Sequence, residues 1–374
     1  MPEVLDLFTE LAALPSPPGQ ERQVADIVIR YLRELGLAVE EDDAGQAVGS
    51  TIGNVYARVG RHGDGAGTPL FLCAHLDTVP PTAPIEPVVD DGVVRNAAGT
   101  ILGADNKSAV AAMLVATRHV LTENRPHAGI ELLFTPKEEV GLLGAAAFDH
   151  GRLTARIGYV YDQAAPIGEV ILGAPYSHSM EVRFHGRAAH SGMYPEEGRS
   201  AIAAAARAIA DLRLGRIDDE TSANVGTIHG GTAGNIVPEW CTFLAEARSH
   251  DERKLQEIVQ EMLDAVAFAA GLEDCEVETE VHKSYRGYRF MRDDEVVRIA
   301  HAALERTGFT PSYALSGGAA DANVFNERGL QCLNLANGMR DIHTPDEQIA
   351  VEDLERMVDV TLALVDVARE QPRA

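Results

Sequence analysis

The chain has no disulfide framework: Cys73, Cys241, Cys275 and Cys332 are scattered, and no CxxC pair occurs. It has no uninterrupted apolar run near the ~20 residues that a membrane-spanning helix requires. The opening MPEVLDLFTELAAL carries acids early and lacks both a basic stretch and a cleavage site, so a secretory signal is not expected. Positive charge is scarce. The 32 Lys and Arg face 57 Asp and Glu, a net charge of −25, which repels phosphate backbones and anionic lipid surfaces but not metal cations. Neither nucleic acid nor membrane is therefore an expected partner. No serine sits in a GxSxG elbow, which excludes the usual serine-hydrolase arrangement. No GxGxxG follows the first strand, which argues against dinucleotide binding. Internal repeats and low-complexity tracts are absent. A reduced, cytoplasmic enzyme is the expectation these absences leave.

What is present is ordinary globular material, 45% hydrophobic and 24% charged, enough for a sizeable core. Single cores stop growing near roughly 250–300 residues, so 374 residues favour two domains. Helical spacing covers Val4–Leu14 and Glu21–Leu35, split by the PSPPG turn; DGAG near Gly63–Gly67 reads as a surface loop. Strands are expected at Asn54–Arg58, Leu70–Ala74, Gly129–Phe134 and Ile157–Tyr161, with a small-residue helix at Lys107–Val120. That order reads as an α/β layer with helices on both faces of the sheet. From about Ser177 the texture changes. Met180–Phe184, Asn224–Ile228, Thr242–Ala247 and Glu276–Val281 read as strands, and Ser200–Leu212 and Glu252–Ala270 as helices. This β-α-β-β-α-β order makes a two-layer α+β unit. The α/β texture returns at Ser284 and ends in a helix at Val351–Arg369. The expected architecture is a discontinuous domain, 1–176 with 284–374, carrying an inserted domain, 177–283.

Polar groups punctuate the apolar strands of the discontinuous domain: His75 and Asp77 in AHLDT, Asp105 in GADNKS, Glu138 and Glu139 in TPKEEVG, Asp162 in YVYDQ, and His343 in IHTPDE. In an open α/β sheet, ligands gather beyond the carboxyl ends of the strands. A hydrolytic zinc takes histidine nitrogens and carboxylate oxygens and keeps one position open for water. Two zincs need a bridging carboxylate and terminal ligands on each side. Two histidines and three acids meet that demand and leave one acid over as proton acceptor. Adjacent side chains of Glu138-Glu139 point apart, so one can ligate while the other faces the water. Residues i and i+2 of a strand share a face, which would let Asp77 hydrogen-bond the His75 imidazole and fix its tautomer. Each motif also has a plain alternative: Asp105 as a helix N-cap, the Glu pair as solvated surface, HTPDE as the start of the last helix. Their joint occurrence favours a metal site.

Taken together, AHLDT, GADNKSA, TPKEEVG, HSGMYPEEGRSAI, GNIVPE and HTPDE resemble the co-catalytic zinc exopeptidases. That family includes peptidase T, glutamate carboxypeptidases, aminoacylases and succinyl-diaminopimelate desuccinylase, and the resemblance is nearest to its peptidase T-like branch. It spans His75 to His343 in the family's order. It implies two zincs per subunit, with cobalt or manganese as substitutes. Asp105 would bridge them, His75 and Asp162 would complete one site, and His343 and Glu139 the other. The Asp105–Asn106 bond would be cis. Glu138 would be the general base of a bridging hydroxide and Asp77 the partner of His75. The inserted domain resembles the family's lid, which usually dimerises, so a homodimer is expected. His190 looks like the lid histidine that steadies the oxyanion, and Asn235, Arg248, Gly317 and Gly318 resemble substrate-binding positions. Bland alternatives are a loop histidine, a surface salt bridge for Arg248 and a tight turn for the Gly pair.

Asp rather than Glu at position 162 accompanies aminopeptidases and dipeptidases in this family. The expected reaction is thus removal of an N-terminal residue from a short peptide, a tripeptide by preference. The alternatives are an N-acyl-amino-acid or N-succinyl amide hydrolase or a carboxypeptidase on the same core, and, from another class, a non-catalytic metal-stabilised dimeric binding protein.

Overall fold

The computed structural model describes residues 3–63 and 67–371, so most of the loop read at Gly63–Gly67 lies outside the described residues. The chain divides into two compact units, Met1–Gly173 with Arg289–Ala374, and Ala174–Tyr288. The sequence texture puts the junctions at 176/177 and 283/284 instead. The difference arises because the strand Tyr176–His185 is paired from its first residue and Glu276–Tyr285 to its last, beyond the alternation that marks them in the sequence.

The first unit is built on a mixed sheet. Across it the strands run Val39–Glu41, Val55–Val59, Ile130–Thr135, Leu70–His75, Ile157–Gln163, Gln331–Ala336 and Glu169–Ala174, with Ser312–Leu315 pairing alongside the last. The four central strands are mutually parallel. Leu70–His75 and Ile130–Thr135 are buried at every position, which explains their continuous apolar runs: strands covered on both faces need no polar alternation. The covers can be read from single contacts. On one face Phe71 meets Phe325 of the helix Asp321–Glu327, ring centroids 5.0 Å apart. On the other, the Tyr159 hydroxyl donates to the Val296 carbonyl and Tyr161 pairs with Thr361 in the helix Val351–Glu370. Gly158 is required by close approach, because a Cβ there would lie 2.2 Å from the Phe71 ring. Each large apolar side chain buried here contributes roughly 1.5–3 kcal/mol. A separate three-stranded antiparallel sheet joins Gln348–Ala350, Val93–Asn96 and Pro87–Asp90.

The second unit is a five-stranded antiparallel sheet in the order Gly215–Arg216, Thr221–Gly230, Trp240–Ser249, Tyr176–His185, Glu276–Tyr285. Its two helices begin where the sequence supplies caps. Ser200 Oγ accepts from the Ala203 amide ahead of Ala201–Asp211, and Asp251 accepts from Arg253 and Lys254 ahead of Glu252–Leu272. Leu255, Ile258, Met262 and Val266 recur at helical spacing and join Val182, Phe184 and Phe243 in one core. Among the described residues no helix is long and apolar enough to cross a membrane.

Candidate metal centre

The parallel strands bring distant residues to one edge. His75 is the last residue of Leu70–His75, Glu138 and Glu139 follow Ile130–Thr135, and Asp162 sits near the end of Ile157–Gln163. Asp105 lies at the start of Ala104–Thr122, where its backbone (φ −83°, ψ 103°) is not helical and its bond to Asn106 is cis; Gly103, not Asp105, is the cap residue. His343 comes from a loop and has φ 64°, a left-handed conformation uncommon outside glycine.

These groups converge. The two carboxylate oxygens of Asp105 face different imidazoles, Oδ1 lying 3.3 Å from His75 Nε2 and Oδ2 3.2 Å from His343 Nε2. His343 Nε2 is also 2.9 Å from Glu139 Oε1, and His75 Nε2 is 3.9 Å from Asp162 Oδ1. Ligand atoms of His75, Asp105 and Glu139 lie within 4.8 Å of one another, as do those of His75, Glu138 and Asp162. The neighbouring acids 138 and 139 thus serve different groupings.

The donor set fits a divalent cation. His75 Nδ1 lies 2.8 Å from the Asp77 carbonyl oxygen, which can only accept, so Nδ1 carries a proton and Nε2 faces the acids. Burial opposes a charged ring, yet Asp105, Asp162 and Asp77 raise its pKa well above the usual value. A cation would take the Nε2 lone pair in place of the second proton. Both His75 Nε2 and Asp105 Oδ1 are buried without a hydrogen-bond partner, although they lie 3.3 Å apart. A lone pair facing carboxylates makes physical sense with a cation between them.

Charge is concentrated to match. Burial opposes ionisation of Asp105, yet His343 and His75 hold its carboxyl below the usual range. Burial, with Asp105 beside it, pushes Asp162 up to about 7. Burial, reinforced by Asp162, Asp321 and Glu139, raises Glu138 well above an ordinary glutamate. Hydrogen bonds to Asp105 and Glu139 lift His343 to about 10. Perturbed groups gathered at the end of a sheet mark a functional site.

The Asp77 carboxylate does not do what the sequence suggests. Its Oδ1 is 3.6 Å from His75 Nδ1, because the strand ends at His75 and the shared-face relation of i and i+2 ends with it. The backbone carbonyl of Asp77 holds the ring instead. The carboxylate accepts from the amides of Glu138 (2.9 Å) and Glu139 (3.1 Å), orienting the acid pair. Four further residues escape a reading of motifs. Buried Glu21 accepts from the Lys137 amide (3.2 Å), just before the pair. Glu347 accepts from the amides of Leu102, Gly103 and Asp105. Asn334 brackets the Asp162 backbone with two hydrogen bonds, and buried Asp321 accepts from Thr135 Oγ1 at 2.6 Å. Asp321 lies in GGAADAN and Glu347 in HTPDE, but nothing in either stretch distinguishes a buried acid from a solvated one.

The remaining sequence candidates are placed as follows. Gly317 and Gly318 follow the strand Ser312–Leu315; neither has the left-handed backbone of a glycine-requiring tight turn, and a Cβ at Gly317 would meet nothing within 4 Å. In the second unit His190 is exposed, and its Nδ1 accepts from the amides of Gly192 and Met193, so a neutral ring carries its proton on Nε2. Asn235 is tied to the same loop, its carbonyl accepting from the Ser191 amide. Arg248 is half-buried on Trp240–Ser249 with its guanidinium 3.0 Å from Glu246.

Comparison with known proteins agrees with this geometry. A family model described as the peptidase dimerisation domain matches residues 173–272, and one for peptidase family M28 matches 54–168. The uncharacterised protein YqjE of Bacillus subtilis is 37% identical over 365 residues, 98% of each chain. The crystal structure of aminopeptidase PepT from Bacillus cereus superimposes with a TM-score of 0.88 at 37% identity, covering 98% of both chains. That of a tripeptidase from Staphylococcus aureus gives 0.93 at 33% identity, covering 99% of this chain and 98% of its own. The chain belongs to the co-catalytic metallo-exopeptidases, in their peptidase T-like branch.

Proposed function

We propose that this chain is a metal-dependent aminopeptidase that releases the N-terminal residue of short peptides, tripeptides by preference. The observation that carries the reading is the Asp105 carboxylate, whose two oxygens face two different imidazoles while Glu138 stands buried beside Asp162. Asp105 would be held in common by two cations, with His75 and Asp162 as the further ligands of one and His343 and Glu139 as those of the other. Zinc suits this donor set, and cobalt or manganese are accommodated by the same ligands. When bound, the paired cations lower the pKa of a water and polarise the scissile carbonyl. Glu138 takes a proton from the attacking water as its oxygen bonds to the carbonyl carbon, then returns that proton to the leaving nitrogen as the C–N bond breaks. Its burial suits both roles, because a carboxyl whose pKa is raised holds a proton more tightly than an ordinary glutamate and so is a stronger base. Asp77 holds the acid pair by its two amides and the His75 ring by its carbonyl.

The presence of Asp rather than Glu at 162, and the similarity to an aminopeptidase and a tripeptidase of known structure, support an aminopeptidase. His190, whose Nε2–H can donate to an oxyanion, is assigned to substrate together with Asn235, Arg248, Gly317 and Gly318 on the family resemblance. The matched dimerisation domain supports a homodimer formed through the second unit, and the absence of a disulfide framework supports a cytoplasmic setting. A panel of free-amine tripeptides and dipeptides against N-acylated and N-succinylated amino acids tests the assignment. Turnover of the free-amine peptides is expected; activity confined to blocked substrates would overturn it.

A further inference from the structure

The helix Ala104–Thr122 starts without a side-chain cap of its own, and the first amides of a helix need acceptors from elsewhere. They find one at the far end of the chain. Glu347 Oε2 accepts from Leu102 N at 2.8 Å and Gly103 N at 2.9 Å, and its Oε1 accepts from Asp105 N at 2.9 Å. Glu347 is only 2% exposed, while the neighbouring Pro345 and Asp346 are exposed. One buried carboxylate thus fastens the segment carrying Asp105 to the segment carrying His343, four residues upstream of Glu347.

That fastening matters more on one side of the centre than on the other. His75 ends a buried strand, and Asp162 lies on the strand next to it. His343 has a 45% exposed side chain, stands on a loop, and keeps a left-handed backbone. Its Nε2 must nevertheless stay 3.2 Å from Asp105 Oδ2 and 2.9 Å from Glu139 Oε1.

We propose that Glu347 is a positioning residue that sets the spacing between Asp105 and His343 and so preorganises the His343–Glu139 side for its cation. The inference rests on the metal-centre reading above. Both carboxylate oxygens of Glu347 act as acceptors, Oε2 for two amides and Oε1 for one. In Glu347→Gln one oxygen becomes an NH2 that faces backbone donors, so at least one of the three amides loses its acceptor. Glu347→Asp keeps the charge but shortens the arm by one methylene.

Cobalt(II) titration of the metal-stripped full chain, followed by visible absorption, reads the effect. The wild type fills two sites, and His343→Ala identifies the loop-side site as the one it loses. Glu347→Gln is expected to weaken that site about 10–100-fold while leaving the strand-side site within about threefold of wild type. If Glu347→Gln fails to fold by circular dichroism, Glu347→Asp is read in the same titration, with a smaller loss at the same site. Wild-type affinity at both sites in the folded variants, or equal weakening of both, overturns the proposal. A wild-type chain that takes up one cation or none overturns the metal-centre reading instead, before any variant is compared.

Discussion

His75 and Asp162 stand on adjacent buried strands, whereas Glu139 and His343 project from segments beyond the sheet. On the first side the backbone ladder fixes the proposed ligands, with side-chain braces from Asn334 at the Asp162 backbone and Asn337 at the Tyr161 carbonyl. On the second side ordinary backbone pairing is replaced by buried carboxylates that accept main-chain amides: Asp77 at 138 and 139, Glu21 at 137, and Glu347 at 102, 103 and 105. A ligand outside the sheet can be held accurately, but only if other residues satisfy its backbone and fix its direction.

The acid pair offers the largest expected effect. Glu138→Ala should lower kcat about 10²–10⁴-fold, the range for losing a general acid–base group, with both cations retained. Parallel kinetics and metal analysis check this, and near-normal kcat would remove Glu138 from its role. The contrast between the two sides sharpens next. His75 belongs to both ligand groupings and His343 Nε2 only faces Asp105 and Glu139, so His75→Ala should deplete the centre more than His343→Ala, which should keep one cation per chain. Elemental analysis after dialysis distinguishes them, and equal loss would erase the asymmetry. The smallest effect is graded. His343, held at about 10 in the metal-free chain, is protonated at pH 8, so a cation must displace that proton. Apparent affinity at the loop side should therefore fall as pH drops below 10, about tenfold per unit for each proton displaced. Calorimetry across buffers of differing ionisation enthalpy counts the protons; binding without release would contradict the assignment.

Much of this was legible in the sequence because strand-borne groups follow apolar runs. His75 closes FLCAH, Asp162 closes YVYD, and the inserted unit shows as a change of period near Ser177. Less was legible where the geometry depends on where an element stops. Asp77 sits two residues past His75, but the strand ends between them, so the expected carboxylate–imidazole bond becomes a carbonyl–imidazole bond. The braces were not legible at all. Glu347 meets its amides across more than 240 residues, and Glu21 reaches Lys137 across 116. Sequence spacing carries no trace of such contacts, and a buried Glu in HTPDE reads the same as a solvated one.

The most direct test is anomalous scattering from crystals grown with the metal-loaded chain. Two cations about 3.5–4 Å apart, sharing the Asp105 carboxylate between the His75 and His343 rings, are expected. A single cation, or a pair with no Asp105 oxygen between them, would contradict the account.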